Sequence, residues 1–325
     1  MPKSCWGTRC ACCADHEGEP EAHTDDCTLD FARVTLDRRD HLQQYLQHNQ
    51  NPCCDLSFAN LFAWGEVYET SYATSGDMLY LRVCRDGSCM FLPPIGTGDF
   101  GAAVVRLMRE ACSEGEPALR MLCVTERERC MLEEAHPGRF TFARMRDNDD
   151  YVHLTASLGQ LQGKKYHGKR GHVKRFQKSY AHEYRRMTAQ DVPALLELNR
   201  TWAEQTYGDS PDRDEILAST RLLENFEALE LVGGLLLVDG QPVAASVGSR
   251  HHPGSDTLVV HYEKGLSQTY DGVYSALNHL FMQDCMADFR YANREEDMGI
   301  LGLRKSKLSY HPECLVEKYM AVCRL

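Results

Sequence analysis

"GGLLLVDGQPVAASVGSR", residues 233–250, holds two apolar runs joined by Asp239-Gly240. Asp-Gly is a favoured two-residue hairpin turn because both central residues must take positive φ. The stretch therefore predicts two antiparallel strands. A second stretch of the same construction, "MLYLRVCRDGSCMFLPPIG" at residues 78–96, turns at Asp86-Gly87. The surroundings of the two hairpins also correspond. Each half reads strand, two helices, hairpin, helix, strand, helix, strand. The helices are marked by spacings such as Leu42/Leu46 and Leu195/Leu198/Trp202. Leu301 and Leu308, seven apart on a helix ended by Pro312, are expected to face the core. Such an order predicts an α/β fold, with a mixed sheet and helices on both faces, repeated in two units of ~130–145 residues. The expected boundaries are a Cys-rich tail at 1–27, a first domain at 28–158, a basic connecting segment at 159–180 and a second domain at 181–325.

The 325 residues carry a net charge of −11, with 43% hydrophobic and 26% charged residues, a soluble globular composition. No apolar run approaches the ~20 residues that span a bilayer, and the N-terminus lacks the apolar core of a signal peptide. A cytoplasmic location is expected. Twelve of the 15 cysteines lie at or before Cys130, and their odd, uneven distribution predicts reduced thiols. Cys5, Cys10, Cys12, Cys13 and Cys27, with His16 and His23, match no standard zinc spacing, so no metal is expected. The tail is expected to be dispensable for folding and activity.

Charge is concentrated. Residues 163–186, "GKKYHGKRGHVKRFQKSYAHEYRR", hold nine Lys/Arg against one Glu. A local excess of this kind suits phosphate, and Lys164, Lys165, Lys169 and Arg170 are the candidate donor-binding residues. "NREEDMGILGLRKSKLSYHP", residues 293–312, sets Asn293, Arg294, Glu295, Glu296 and Asp297 before Arg304 and Lys307. On a helix those two cations face the same way. In "TLVVHYEKG", residues 257–265, strand alternation places His261 and Glu263 on one face. A carboxylate there can strip a proton from an ammonium nucleophile. "GTGDFG" (Gly96, Gly98, Gly101) fits a dinucleotide loop, but Pro93-Pro94 break the preceding strand, and a tight turn is the better reading.

"CDLSFANLFAW", "PIGTGD", "GKKYHGKRGHVKRF", "NREEDMGILGLRKSKLSYHP" and "EKYMA" together resemble an uncharacterised bacterial family related to the catalytic domain of phosphatidylglycerol lysyltransferase. The resemblance runs from about residue 28 to the C-terminus. It implies two tandem acetyltransferase-like (GNAT) domains, and a donor and acceptor like those of the relatives, aminoacyl-tRNA and a lipid head group. Lys305, Lys307, Pro312 and Tyr319 match the relatives' ending, while Tyr310 replaces a Phe and Lys318 an Arg.

The expected function is thus an acyl- or aminoacyltransferase acting on an amine or hydroxyl acceptor, either a small molecule or a lipid head group. Glu263 and Tyr310 would be catalytic. His261, Asn293, Arg294, Glu295, Glu296, Asp297, Arg304 and Lys307 would bind substrate, and the segments 261–263, 293–297 and 304–310 would share one site. The donor would be aminoacyl-tRNA or acyl-coenzyme A, with no other cofactor. "GLSQTYDGVYSAL" departs by one residue from the Q-x-x-G-x-G/A spacing that seats coenzyme A pyrophosphate. The alternatives are a coenzyme A-dependent N-acyltransferase and a non-catalytic RNA-binding or regulatory module.

Overall fold

The structure, a computed structural model, describes residues 28–208, 210 and 212–325. The expectations about the tail lie outside these residues. The chain runs β1 (Ala32–Arg33), α1 (Arg39–Leu46), α2 (Phe58–Ala63), β2 (Ser71–Ser75), β3 (Met78–Arg85), β4 (Ser88–Phe91), β5 (Ile95–Gly96), α3 (Phe100–Ser113), β6 (Ala118–Val124), α4 (Glu126–Ala135) and β7 (Thr141–Arg144). Then come β8 (Asp150–Leu154), α5 (Thr155–Gln160), α6 (His167–Ser179), β9 (His182–Arg186), α7 (Val192–Tyr207) and α8 (Arg213–Glu224). It closes with β10 (Val232–Val238), β11 (Gln241–Arg250), β12 (Thr257–Gly265), α9 (Val273–Cys285), β13 (Tyr291–Asn293), α10 (Leu301–Leu308), β14 (Cys314–Val316) and β15 (Tyr319–Arg324).

Both Asp-Gly hairpins form, with Asp86, Gly87, Asp239 and Gly240 all at positive φ. Each anchors a mixed sheet. One has the order β1-β2-β3-β4-β6-β15-β7, with β5 on β3; the other has β14-β8-β13-β12-β11-β10-β9. Each contains one parallel pairing, β4 with β6 and β12 with β13, made after a crossover through a helix. Strand alternation distributes the core. Leu79 and Leu81 of β3, with Leu235 and Leu237 of β10, face a shared core with α1, α2, α7 and α8. Met78 and Tyr80 face a separate core with α3, and Leu236 and Val238 one with α9. Ser57 caps α2, its Oγ accepting from the Asn60 amide, and Asp99 of the GTGD turn caps α3 in the same way.

Sheet membership does not follow the boundaries read from the sequence. β8 falls before residue 158 yet lies in the second sheet, and β15, the last strand, lies between β6 and β7 in the first. β7 with β8 and β15 with β14 form one antiparallel ribbon that crosses between the sheets, with only Glu317 and Lys318 at the crossing on the C-terminal side. The segment after β8 is helical: α5 and α6 pack on α9, with Leu158 and Phe176 buried. Leu301 and Leu308 do not face the core. They are 77% and 43% exposed, because α10 buries Lys307 rather than its leucines. Cys84 and Cys89, directly opposite on β3 and β4, form a disulfide, which corrects the expectation of reduced thiols throughout.

The strand exchange has a measurable consequence. Ala321→Asp, at a fully buried position of β15, is expected to cost about 3 kcal/mol or more, since an unpaired charge enters the first sheet's core. Leu301→Ser should stay within about 0.5 kcal/mol of wild type. Urea unfolding of both variants checks the pair.

Candidate functional site

β12 and β13 pair only over Thr257↔Tyr291 to Val259↔Asn293, after which β12 runs on to Gly265 without that neighbour. The sheet opens there into a splay. A bulge in β12 accompanies it: Val247 of β11 pairs with Tyr262 and Gly248 with Val260, leaving His261 over. One extra residue reverses the faces of everything beyond it. Val260 packs in the α9 core, whereas Tyr262 packs in the shared core. His261 and Glu263 therefore point to opposite faces, contrary to the alternation read from the sequence.

Each contacts a residue of the 293–297 segment across the splay. On the α9 side, Glu263 Oε1 lies 2.6 Å from Arg294 Nη2, and Glu263 Oε2 accepts at 3.4 Å from Asn278 Nδ2 of α9. The segments 261–263 and 293–297 thus meet. The Arg294 guanidinium lies 4.9 Å from the Tyr310 ring centroid, and Lys169 Nζ of α6 is 3.7 Å from the same centroid on a half-buried side chain. Burial, reinforced by Arg294, lowers the Lys169 pKa to about 8. Buried His153 of β8 is held down to about 3 by desolvation and Arg294.

On the opposite face, His261 Nδ1 lies 3.0 Å from Glu295 Oε1, and its Nε2 lies 2.8 Å from Ser249 Oγ. Asn60 of α2 donates to the same Glu295 oxygen at 2.9 Å, which brings in the first half of the chain. Glu295 opens onto a recess at the crossing between the sheets. Lys318, 3% exposed, reaches Asp55 at 2.5 Å and Asp150 at 2.7 Å. Asp150, wholly buried, also accepts from the Cys54 amide at 2.7 Å and Asn293 Nδ2 at 3.0 Å. Cys54 Sγ is 3.3 Å from Asp150 and 3.8 Å from Glu296. Burial together with Glu295, Asp55 and Asp150 outweighs Lys318 and raises the Glu296 pKa to about 7. Lys318 itself is held well above its ordinary value: desolvation opposes, but Asp150 and Asp55 prevail. Cys54, Asp55 and Asp150 bring a thiol and two carboxylates within 4.8 Å of one another, a composition that suits a metal. The Lys318 ammonium already supplies positive charge there.

The remaining charges of the NREED segment are satisfied internally. Asp297 accepts from Arg304 at 2.7 and 2.9 Å, Arg146 at 3.2 Å and the Tyr151 hydroxyl at 2.5 Å. Although desolvation opposes ionisation, these partners hold Asp297 well below the usual carboxylate range. Lys307 Nζ donates to the carbonyls of Arg294, at 2.6 Å, and Glu296. Arg304 and Lys307 thus clamp the loop rather than presenting two cations to a ligand. In the basic segment, Lys164 and Lys165 are exposed, and Arg170 is spent on the carbonyls of Leu161 and Gly163. α6 also covers the loop that opens α9. Arg175 pairs with Asp271 at 2.8 Å, and a Cβ on Gly272 would come within 2.8 Å of the His172 carbonyl oxygen.

Asp55, Asp150, Lys318, Cys54 and Asn60 were not singled out by chemistry in the sequence. For Cys54, Asp55, Asn60 and Lys318 the signal was positional, since "CDLSFANLFAW" and "EKYMA" are among the stretches that carry the resemblance; Asp150 lies in none of those stretches.

The sequence profile described as "Phosphatidylglycerol lysyltransferase, C-terminal" matches residues 49–322. The chain belongs to that family. Among solved structures, a conserved protein of unknown function from Bacteroides thetaiotaomicron is 36% identical, with a TM-score of 0.85, covering 91% of this chain and all of its own. Two further members share the fold at lower identity. The C-terminal domain of a putative lysylphosphatidylglycerol synthetase from Agrobacterium fabrum is 13% identical, with a TM-score of 0.64 and coverage of 88% and 91%. The L-PGS of Bacillus licheniformis is 14% identical, with a TM-score of 0.63 and the same coverage. No curated protein matches. Among the described residues, no helix of this family member is long and apolar enough to cross a membrane.

Two stability measurements test the recess. Lys318→Ala leaves Asp150 buried without its cation and should cost about 3–5 kcal/mol; adding Asp150→Asn should recover part of that loss. Glu296 has a folded pKa of about 7 against an ordinary 4.5, so folding takes up a proton between those values. Stability should fall as pH rises through that window and then level off. Glu296→Gln removes the loss. Its melting temperature should match wild type near pH 5 and exceed it above pH 7, by the equivalent of about 1–2 kcal/mol. A difference independent of pH would refute the assignment.

Proposed function

We propose that this chain is an aminoacyltransferase that takes an activated aminoacyl group from an aminoacyl-tRNA and passes it to an amine or hydroxyl. Family membership supports the reaction class, and the two sheets are read as two GNAT-like units, of which the second carries the chemistry. One observation carries the reading: an opened strand pair with a Glu263–Arg294 contact on one face and a Glu295–His261 contact on the other, backed by a recess of four carboxylates, Asp55, Asp150, Glu295 and Glu296, around the ammonium of Lys318. Such a recess favours a cationic group, and the ammonium of an aminoacyl ester has that character.

In this reading the ester carbonyl enters the splay. Backbone N–H groups of β12 that lack a strand partner would receive the developing oxyanion. Glu263 takes the proton from the acceptor as it attacks, and Tyr310 returns one to the leaving oxygen. Arg294 orients Glu263, while Lys307 and Arg304 hold the loop that carries Arg294, Glu295 and Glu296. Lys164, Lys165 and Lys169 guide the phosphates of the donor. Arg170, already paired to carbonyls, has no part in this. The coverage of the α9-opening loop by α6 favours a tRNA donor over acyl-coenzyme A, whose pyrophosphate would need that loop.

The test is transfer of labelled amino acid from charged tRNA to a panel of amine and hydroxyl acceptors. Glu263→Gln should lower turnover by about 100-fold or more while leaving tRNA affinity unchanged. A binding module would keep its affinity and show no turnover in wild type. Lys164→Gln/Lys165→Gln should flatten the salt dependence of tRNA binding by about 0.7–0.9 log units per lost phosphate contact. Turnover with acyl-coenzyme A but not with charged tRNA would replace this reading with the N-acyltransferase.

A further inference from the structure

Glu263 stands in a small polar chamber between the second sheet, α9 and the end of α10. Ser246 of β11 is its cross-strand partner and lies on the same face. Asn278 comes from α9, one turn beyond Ser275, whose Oγ accepts at 3.4 Å from the Tyr310 hydroxyl. Ser246 and Asn278 are wholly buried, and Arg294 is 9% exposed. Each keeps one polar atom without a protein partner: Ser246 Oγ, Asn278 Oδ1 and Arg294 Nη1. A buried polar atom left unpaired is destabilising, and natural cores rarely hold three beside one carboxylate.

The donor and acceptor roles of these atoms identify the missing partner. Arg294 Nη1 is a donor only, and the Ser246 hydroxyl can donate. Asn278 Oδ1 is an acceptor, its amide NH₂ being turned toward Glu263. Glu263 Oε2 has spare acceptor capacity, because Arg294 Nη2 engages Oε1. Two donors and two acceptors complement a water molecule. A cation would need acceptors on all sides, and an anion donors.

We infer that Ser246, Asn278 and Arg294 hold an internal water against Glu263, and that Glu263 exchanges protons with the acceptor through it. The inference rests on Glu263 being the base of the proposed reaction. In the transfer step the acceptor's lone pair bonds to the ester carbon and the ester C–O bond breaks. The acceptor gives its proton to the water as the water gives one to Glu263, and the leaving oxygen takes a proton from Tyr310. Ser246 and Asn278 are then positioning residues.

Crystal structures of wild type and Ser246→Ala to about 1.5 Å test the water directly, without an activity assay. Wild type should show one ordered water bonded to Ser246, Asn278, Arg294 and Glu263, and the variant should lose or displace it. Kinetics test its use. Ser246→Ala should lower kcat about 10-fold with KM unchanged. Glu263 also loses a donor to its charged form, so the acid limb of the rate profile should move to higher pH. Arg294, Lys169, Lys307, Tyr274 and Tyr310, the other titratable groups around Glu263, are retained in that variant. A chamber without the water overturns the inference even if Glu263→Gln is inactive, and in that case the base assignment stands. A water that is present while Glu263→Gln keeps full turnover overturns both. An unchanged pH profile in Ser246→Ala overturns the relay.

Discussion

The ion pair of Lys318 with Asp150 sits where the chain passes from one sheet to the other. Asp150 opens β8 in the second sheet, and Lys318 directly precedes β15 in the first. Neither charge tolerates burial alone, since desolving an ion costs several kcal/mol unless a partner and further hydrogen bonds compensate. Asp150 obtains those bonds from the Cys54 amide and Asn293. The first-half motif, the end of β13 and the strand crossing are therefore held to one carboxylate. The recess around Glu296 exists because that carboxylate must be buried where the sheets meet.

The bulge at His261 is a second constraint of comparable reach. Without the extra residue, His261 and Glu263 would share a face, and the other side of the splay would receive neither. With it, Glu263 faces Arg294 and the polar chamber, while His261 faces Glu295 and the recess. The alternation of Arg294 and Glu295 after β13 matches that reversal, so the two segments make contacts of opposite polarity on opposite faces. A one-residue insertion thus converts a strand pair into a passage with two chemically distinct mouths.

Much of the architecture was legible because it rests on local rules. The Asp-Gly hairpins, the helix spacings and the Ser57 cap are decided within a few residues. The meeting of Glu263 with Arg294 was legible from element order, since both lie at the point where consecutive strands part. What escaped depends on long-range placement. Nothing local says that β15 returns to the first sheet, that the bulge falls at His261, or that Leu301 is exposed while Lys307 is buried. The burial of Lys307 follows from two carbonyls, of Arg294 and Glu296, that only the folded loop brings to its ammonium. The acids of NREED read as a waiting ligand site; three of the four charges that follow Asn293 are instead matched by this chain's own groups, and only Glu296 lacks a cation of its own.

On the proposed reading, the charge distribution places a demand on the donor. Positive charge lies on α6, outside the α9 face, and negative charge lies in the recess on the other side of the sheet; the splay joins them. A donor that suits both ends must be anionic along its body and cationic at its reactive tip, with the ester between. Acyl-coenzyme A carries the first property but brings no ammonium to the recess unless its acyl group supplies one. An aminoacyl-tRNA, the donor proposed above, carries both. On that argument a neutral acyl group should gain nothing from Glu295 and Glu296, so masking the α-ammonium by N-acetylation of the charged tRNA should weaken transfer in wild type far more than in Glu295→Gln/Glu296→Gln. Equal losses in the two proteins would detach the recess from the donor.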